Sequence, residues 1–128
     1  MQQIKEIVKI TGLSRRTLQF YDEIGLLEPM RTADNYRMYR KDDIKKLWKI
    51  IVYKEIGLKL SDIRHILHGH IKEQDMLEEK LQDINAEIST LKQKISFIEK
   101  VMSKGIPNPD ENNEMPYNEQ AYELLRKA

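Results

Sequence analysis

The hydrophobic residues at the start of the chain form two short stretches with helical spacing. Isoleucines and a valine recur about one turn apart in residues 4–11, and a glycine follows them. Ser14 is a favourable N-cap for the second stretch, residues 15–24, which also ends before a glycine. Two short helices joined by a glycine-containing turn predict a helix-turn-helix unit. Its second helix would begin with Arg15 and Arg16.

The pattern changes to a short alternation of polar and apolar residues between positions 30 and 40. Pro29 ends any helix before this segment. Asp34 and Asn35 are a plausible tight-turn pair, since both residue types tolerate positive φ. We predict a small two-stranded wing that presents arginines and tyrosines.

A second helix–loop–helix pattern follows the predicted wing. Asp42 or Asp43 would open a helix that ends at Gly57. Residues 58–60 form a short basic connector, and Ser61 would cap the next helix. The arrangement resembles that of the first two helices, although the two sequences are not repeats.

A stricter repeat occupies residues 71–103, where apolar residues recur at intervals of four and three. Such a 3.5-residue repeat is typical of a coiled coil, and a helix over this range would be about 50 Å long. Because the chain has no second repeat of this kind, the partner helix must come from another copy or from another protein. We assign eight residues, which we call the seam, to dimerisation: Leu77, Leu81, Ile84, Ile88, Leu91, Ile95, Ile98 and Met102.

The last part of the chain, residues 104–128, combines a polar linker bounded by prolines with one more helical stretch. Asn118 can cap that final short helix. There is no room here for a sizeable ligand-binding domain. We therefore expect a small effector or interaction tail.

The charges are divided unevenly between the two parts of the chain. The 128 residues carry 22 Lys and Arg against 21 Asp and Glu, a formal net charge of +1. Residues 1–70 contain 14 basic and 9 acidic residues, a net charge of +5, whereas residues 71–128 contain 8 and 12, a net charge of −4. Such an asymmetry indicates that the basic part faces a nucleic acid and that the acidic part has another role.

The arginines of the basic part cluster where proteins commonly contact phosphates. Two of them open the second helix and three more lie in or beside the predicted wing. Tyrosines, whose hydroxyl groups also bond phosphate oxygens, are interleaved among them. These features favour nucleic-acid binding over an ordinary solvated charged face.

Other classes of protein receive little support from the sequence. The chain has no Cys, which excludes disulfides, thiolate metal sites and cysteine nucleophiles. No carboxylate or Cys is spaced to complete a metal site with His65, His68 and His70, so we expect no metal and no cofactor. The absence of a Gly-rich phosphate loop or a nucleophile elbow argues against an enzyme. Without a long apolar run or a secretory signal, the chain is expected to be a soluble cytoplasmic protein with no membrane segment.

Four segments of the basic part resemble the MerR family of bacterial transcriptional regulators: Gly12–Asp22, Gly25–Arg31, Asn35–Tyr39 and Gly57–Ile63. The resemblance covers residues 1–70 in order and at the spacing of the family, and the long helix that follows also fits. It departs from the family at Gln19-Phe20-Tyr21, where members often have Arg-Tyr-Tyr.

The resemblance implies a winged-helix DNA-binding domain, a dimerisation helix that pairs antiparallel with its mate, and a short effector region. Members typically bind promoters in which the two polymerase-recognition elements are too far apart. They bend and untwist this DNA so that RNA polymerase can engage. The candidate DNA-binding residues are Ser14, Arg15, Arg16, Thr17 and Tyr21 in the second helix, Arg31, Tyr36, Arg37, Tyr39 and Arg40 in the wing region, and Lys59 in a second wing.

The charges beside the seam disagree with the resemblance on orientation. A parallel pair would place Glu87 near Lys92 and Lys94 near Glu99, and both pairs are complementary. Exposed ion pairs contribute only ~0–1 kcal/mol, however. We follow the resemblance and expect the antiparallel arrangement.

These observations predict a mainly α fold with a winged helix-turn-helix DNA-binding domain in residues 1–70, a coiled-coil dimerisation helix in 71–103, and a linker with a short C-terminal helix in 104–128. The expected function is that of a homodimeric, sequence-specific regulator that binds a pseudo-palindromic promoter operator and distorts it. Its effector could be a small apolar molecule between tail and coiled coil, a protein that contacts residues 116–128, or none. Two alternatives remain open: a coiled-coil protein-interaction module, and an architectural DNA-binding accessory factor without an effector.

Overall fold

The computed structural model describes all 128 residues and divides into two compact units, Met1–Leu77 and Glu78–Ala128. The first unit contains four helices and three short strands. The second contains most of one long helix and a short final helix. In chain order the elements are β1 (Gln2–Gln3), α1 (Ile4–Thr11), α2 (Arg15–Glu23), β2 (Met30–Arg31), β3 (Arg37–Tyr39), α3 (Lys41–Ile56), α4 (Leu60–Leu67), α5 (Glu73–Lys104) and α6 (Tyr117–Arg126).

Helices α1 and α2 form the predicted helix-turn-helix. Gly12 ends α1 in the left-handed conformation, with φ of 72°, and its N–H donates to the Val8 carbonyl. This conformation favours glycine because a Cβ would be strained there. Ser14 then caps α2: its side-chain oxygen accepts the backbone N–H of Thr17 at 3.0 Å. The fold predicted for this segment is confirmed.

The wing contains three strands, one more than the sequence predicted. Strand β3 pairs antiparallel with β2, and its other edge pairs with β1 from the start of the chain. The turn between β2 and β3 contains Asn35 at a φ of 67°, the positive value expected there. Because β1 covers the second edge, β3 is a central strand and not the edge of a hairpin.

Helices α3 and α4 begin slightly earlier than the sequence predicted. Arg40 is the N-cap of α3, and its backbone N–H donates to the buried carboxylate of Asp43 at 2.9 Å. The prediction that Ser61 caps α4 is wrong. Lys59 is the N-cap, and its carbonyl accepts the N–H of Ile63 at 3.0 Å. The first turn of α4 therefore already contains Ser61.

The hydrophobic core of the protein lies in the first unit. Burying each large apolar side chain stabilises the fold by ~1.5–3 kcal/mol. The core residues come from α1 to α4, from β3, from the start of α5 and from the loops that follow α2 and α3. They are Ile7, Leu18, Tyr21, Leu26, Leu27, Tyr39, Leu47, Ile50, Tyr53, Leu58, Ile63 and Met76.

The long helix α5 has 32 residues, which corresponds to about 48 Å. Gly105 follows it, and the N–H of Gly105 donates to the Val101 carbonyl at 2.7 Å. The final helix α6 has Pro116 as its N-cap, so the prediction that Asn118 caps it is wrong. The Pro116 carbonyl already accepts the backbone N–H groups of Glu119 and Gln120. None of the helices is long and apolar enough to cross a membrane.

Candidate nucleic-acid interface

The N-terminus of α2 carries two arginines that have no partner within the chain. Arg15 and Arg16 are the first residues of the helix and are exposed, and neither forms an ion pair. The first turn of α2 also lacks an acidic residue. Cations are unfavourable at this end of a helix, where the dipole is positive and backbone N–H groups are free. An anion bound here, such as a phosphate, would relieve both effects.

Ser14 and Thr17 bond to each other beside these arginines. The Ser14 hydroxyl donates to Thr17 Oγ1 at 2.9 Å, in addition to accepting the Thr17 N–H. Ser14 therefore has a capping role in the fold, and its hydroxyl hydrogen is already used. Thr17 is half-buried.

The wing is attached to α2 through one carboxylate, that of Asp22. Asp22 Oδ2 accepts from Arg31 Nη2 at 2.9 Å and from Arg37 Nε at 2.7 Å. Arg31 also donates through Nη1 to the Asn35 carbonyl at 3.3 Å. Arg37 uses only Nε, so the N–H groups on its Nη1 and Nη2 remain available to a phosphate. The two wing arginines are thus held beside the arginine-bearing helix.

Asp22 positions the wing arginines, a role that the sequence does not by itself indicate. The only indication in the sequence is a carboxylate followed by arginines nine and fifteen positions later. That spacing has no meaning until the wing is known to fold back onto α2.

Two tyrosines predicted to contact DNA are core residues, which corrects that prediction. Tyr21 is 4% exposed and Tyr39 is 1% exposed, and burial raises the pKa of both. The Tyr39 hydroxyl is buried without a hydrogen-bond partner, because its ring packs in the hydrophobic core. Tyr36, in contrast, is 65% exposed on the wing. Of these three phenols, Tyr36 is the one that a nucleic acid could reach freely.

Arg40 also has a structural role. Its Nε and Nη2 donate to the two carboxylate oxygens of Asp43 at 3.0 and 3.1 Å. This hydrogen-bonded pairing raises the pKa of Arg40. Arg40 thus stabilises the start of α3, and its contact with DNA stays a prediction.

Lys59 stays exposed at the N-cap of α4. A lysine beside free backbone N–H groups can bind a phosphate, as the arginines at the start of α2 can. The histidines near the end of α4 do not add a metal site. His65 Nδ1 lies 3.4 Å from His70 Nδ1, and no group of three or more His, Asp or Glu side chains in the chain could hold a metal ion.

All eight seam residues lie on α5, and most of their side chains are exposed. Leu77 and Ile84 are half-buried. The other six range from 44% to 81% exposed, a large amount of apolar surface for one helix: Leu81, Ile88, Leu91, Ile95, Ile98 and Met102. Within the single chain, nothing covers these side chains fully.

The second unit also contains an apolar groove of about 570 Å³ between the end of α5 and α6. Its walls include Phe97 and Val101 from α5 and Leu124 from α6, and no Asp, Glu, Lys or Arg lines it. Gln120, the amide in the wall, donates to the Met115 carbonyl at 2.8 Å. We call this feature the apolar groove.

Comparison with known proteins gives matches over the same segments. Residues 3–70, more than half of the chain, match the family model described as MerR HTH family regulatory protein. The HTH-type transcriptional regulator CueR of Bacillus subtilis (strain 168) is 34% identical over 95 residues, which are 74% of this chain and 66% of that regulator. The HTH-type transcriptional activator mta of the same organism is 42% identical over 66 residues, 51% of this chain and 26% of the activator.

A solved structure extends the similarity to the fold. MtaN, the N-terminus of the Bacillus subtilis multidrug transporter activator, superposes with a TM-score of 0.72 at 31% identity, covering 80% of this chain and 98% of that structure. The chain spans only 66%, 26% and 47% of the lengths of three curated relatives. On the family match and the shared fold together, the chain belongs to the MerR family of helix-turn-helix regulatory proteins.

Proposed function

We propose that the chain acts in the bacterial cytoplasm as a homodimeric transcriptional regulator that binds double-stranded promoter DNA. One observation carries the proposal: Arg15 and Arg16 have no partner at the N-terminus of α2, and Asp22 in the last turn of the same helix holds two wing arginines in place. The family membership and the names of the curated relatives, which are transcriptional regulators, support the same conclusion.

In the proposed complex, the start of α2 enters the major groove, as the second helix of a helix-turn-helix commonly does. Arg15, Arg16 and Thr17 would reach base edges and nearby phosphates. Arg31, Tyr36 and Arg37 of the wing and Lys59 at the start of α4 would hold the phosphate backbone. Contacts with the phosphate backbone fix the position of the protein along the DNA, while the α2 residues read the base sequence.

Two copies would pair through their seams to set the distance between two recognition helices. The seam spacing reads the same in both directions, so an antiparallel pair can match Leu77 with Met102 and Leu81 with Ile98. A two-fold dimer requires an inverted repeat in the DNA. Distorting the duplex costs on the order of several kcal/mol, which added phosphate contacts would offset. RNA polymerase would then engage the reshaped promoter.

The apolar groove supports a small, uncharged apolar molecule as the effector. Its volume of about 570 Å³ lies within the range of small-molecule sites, and its lining offers no charge to a ligand. Ile98 and Met102 belong both to the groove and to the seam. A bound molecule would therefore act directly on the geometry of the dimer.

The test of DNA binding uses a duplex that the purified chain selects from a randomised library. Arg16→Ala should weaken binding to that duplex by ~1–3 kcal/mol if Arg16 reads a guanine. Lys100→Ala, which removes an equal charge from the exposed surface of α5, is the matched control and should bind normally. An unchanged dissociation constant for Arg16→Ala would retire the assignment of that residue to base reading.

Salt dependence separates DNA binding from a protein-interaction module. The affinity for the selected duplex should fall steeply with ionic strength, by a factor that grows with each phosphate contacted. Failure to enrich any duplex would contradict the proposal and favour the interaction module. Enrichment of bent DNA without an inverted repeat would favour an architectural accessory factor.

A further inference from the structure

Phe20 is a large apolar residue on the surface of α2. Its side chain is 45% exposed, whereas its neighbours Leu18 and Tyr21 belong to the core. The ring centroid of Phe20 lies 6.4 Å from that of Tyr21, with the two planes tilted by 45°. Phe20 therefore stands at the border between the core and the outer face of the helix.

The position of Phe20 distinguishes it from other exposed apolar residues, which are common on protein surfaces. It lies four residues after Arg16 and three after Thr17, so the three side chains share one face of α2. Together with Ser14, Gln19 and Glu23 they line a shallow depression of about 520 Å³. This is the face that the proposed function places in the major groove.

A phenyl ring cannot donate a hydrogen bond to a phosphate or to a base edge. The major groove offers such a ring one apolar partner, the C5-methyl group of thymine. We propose that Phe20 contacts a thymine methyl group in each half-site and makes the protein specific for thymine at that position. The inference rests on the proposed function, and it assigns a reading role to one of the two residues, Gln19 and Phe20, at which the chain departs from Arg-Tyr-Tyr.

The expected size of the effect follows from burying one methyl group. Removing a methyl group from such a contact should weaken binding about fourfold per half-site, which corresponds to ~0.8 kcal/mol. Two half-sites in one duplex should give about sixteenfold. Because phosphate contacts stay unchanged, the salt dependence of binding should not alter.

The experiment replaces thymine by deoxyuridine in a duplex selected by the wild-type chain from a randomised library. Deoxyuridine lacks only the C5-methyl group and keeps every hydrogen-bonding group of thymine. Each thymine is replaced in turn, symmetrically in both half-sites, and dissociation constants are measured by fluorescence anisotropy at fixed salt. Wild type should lose about sixteenfold at one symmetric pair of positions and little elsewhere.

Two variants assign that loss to the ring. Phe20→Ala should bind the thymine and deoxyuridine duplexes equally at the sensitive position. Phe20→Leu, which keeps an apolar side chain, should retain part of the discrimination. Because Phe20 is half exposed, both variants should give the circular dichroism spectrum of the wild type.

Two results would overturn the inference while leaving the proposed function intact. In the first, wild type binds the selected duplex and tolerates deoxyuridine at every position. In the second, Phe20→Ala keeps the full preference for thymine. If the library yields no binding duplex at all, the proposed function and this inference are both wrong.

Discussion

The two compact units of the chain differ in how deeply their apolar side chains are buried. All twelve buried apolar residues lie in Met1–Leu77, where short helices and a small sheet enclose them. In Glu78–Ala128 no residue reaches that degree of burial, and six of the eight seam residues are largely exposed. One unit completes its core within a single chain, and the other presents an apolar stripe along a helix.

The difference follows from the spacing of the hydrophobic residues. Helices such as α1 and α3 bear broad apolar faces, which suit packing against several neighbours. The seam on α5 follows a 3.5-residue repeat, a narrow stripe that suits one parallel or antiparallel helix. In the proposed dimer, the first unit would fix the shape of the binding surface, and the second would fix the distance between two such surfaces.

The largest effect is expected from placing a charge in the seam. Leu91→Asp would bury one carboxylate per copy in an apolar dimer interface, at a cost of several kcal/mol each. Dimers should disappear at micromolar concentration, and binding to a full inverted repeat should be lost with them. Sedimentation velocity and anisotropy measure the two effects.

Ser89→Asp is the matched control for the seam, because it adds the same charge at an exposed position outside the repeat. It should leave both the dimer and DNA binding intact. A Leu91→Asp chain that stays dimeric would remove the proposed role of the second unit.

A cavity in the first unit should have the next largest effect. Leu47→Ala removes a fully buried side chain of α3 and should lower the free energy of unfolding by about 2–5 kcal/mol. Urea titration followed by circular dichroism measures this change. The exposed neighbour Lys49→Ala should change it little, and equal losses in the two variants would mean that the first unit has no specific core.

Weakening the attachment of the wing to α2 should lower the stability less than Leu47→Ala does, and it should clearly weaken DNA binding. Asp22→Asn removes the charge that accepts from Arg31 and Arg37, and hydrogen bonds to charged groups contribute about 1.5–3 kcal/mol. Asp22 is shielded from water, with 14% of its side chain exposed. Thermal unfolding and anisotropy with the selected duplex should both report a loss.

The control for the wing is Asp34→Asn, in the exposed turn and without an ion pair. It should behave like wild type. Tighter DNA binding by Asp22→Asn would show instead that Asp22 competes with phosphate for the two arginines.

The smallest effect concerns the bond that joins α3 to the first turn of α5. The Tyr53 hydroxyl donates to Glu73 Oε1 at 2.8 Å, and burial together with this bond raises the pKa of Tyr53 to about 12. Tyr53→Phe should cost about 1 kcal/mol of stability at neutral pH. Urea titration gives the value, and no change would mean that the bond does not stabilise the fold.

The raised pKa also gives the pH dependence of that bond. A pKa higher in the folded than in the unfolded state means that the stabilisation is complete below pH 10 and is lost as pH rises through about 12. The stability advantage of wild type over Tyr53→Phe should therefore shrink and be lost over that interval. A constant difference between them would contradict the assigned cause.

Much of the fold could be predicted because local patterns determine it. The N-cap at Ser14, the turn at Asn35 and the seam each depend on a few neighbouring residues, and the structure contains a capped helix, a positive φ and one continuous helix there. Strand β1 could not be predicted, since two glutamines carry no alternation and pair only because β3 is close by.

The candidate site was less predictable because its residues meet through tertiary structure. Arginines at the start of α2 were identified from local position alone. The contacts of Asp22 with the wing depend on how the wing folds back, and the burial of Tyr39 depends on how the helices of the first unit pack around β3. Tyrosines among arginines suggested phosphate contacts, but the rings of Tyr21 and Tyr39 pack in the hydrophobic core.

The measurement that tests the central claim most directly is the stoichiometry of the complex with DNA. Sedimentation equilibrium of the wild-type chain with a duplex containing the selected inverted repeat should give two chains per duplex, and one chain or none with a single half-site at the same concentration. Tight one-to-one complexes that form equally well on a half-site would contradict the account, because the seam would then play no part in recognition.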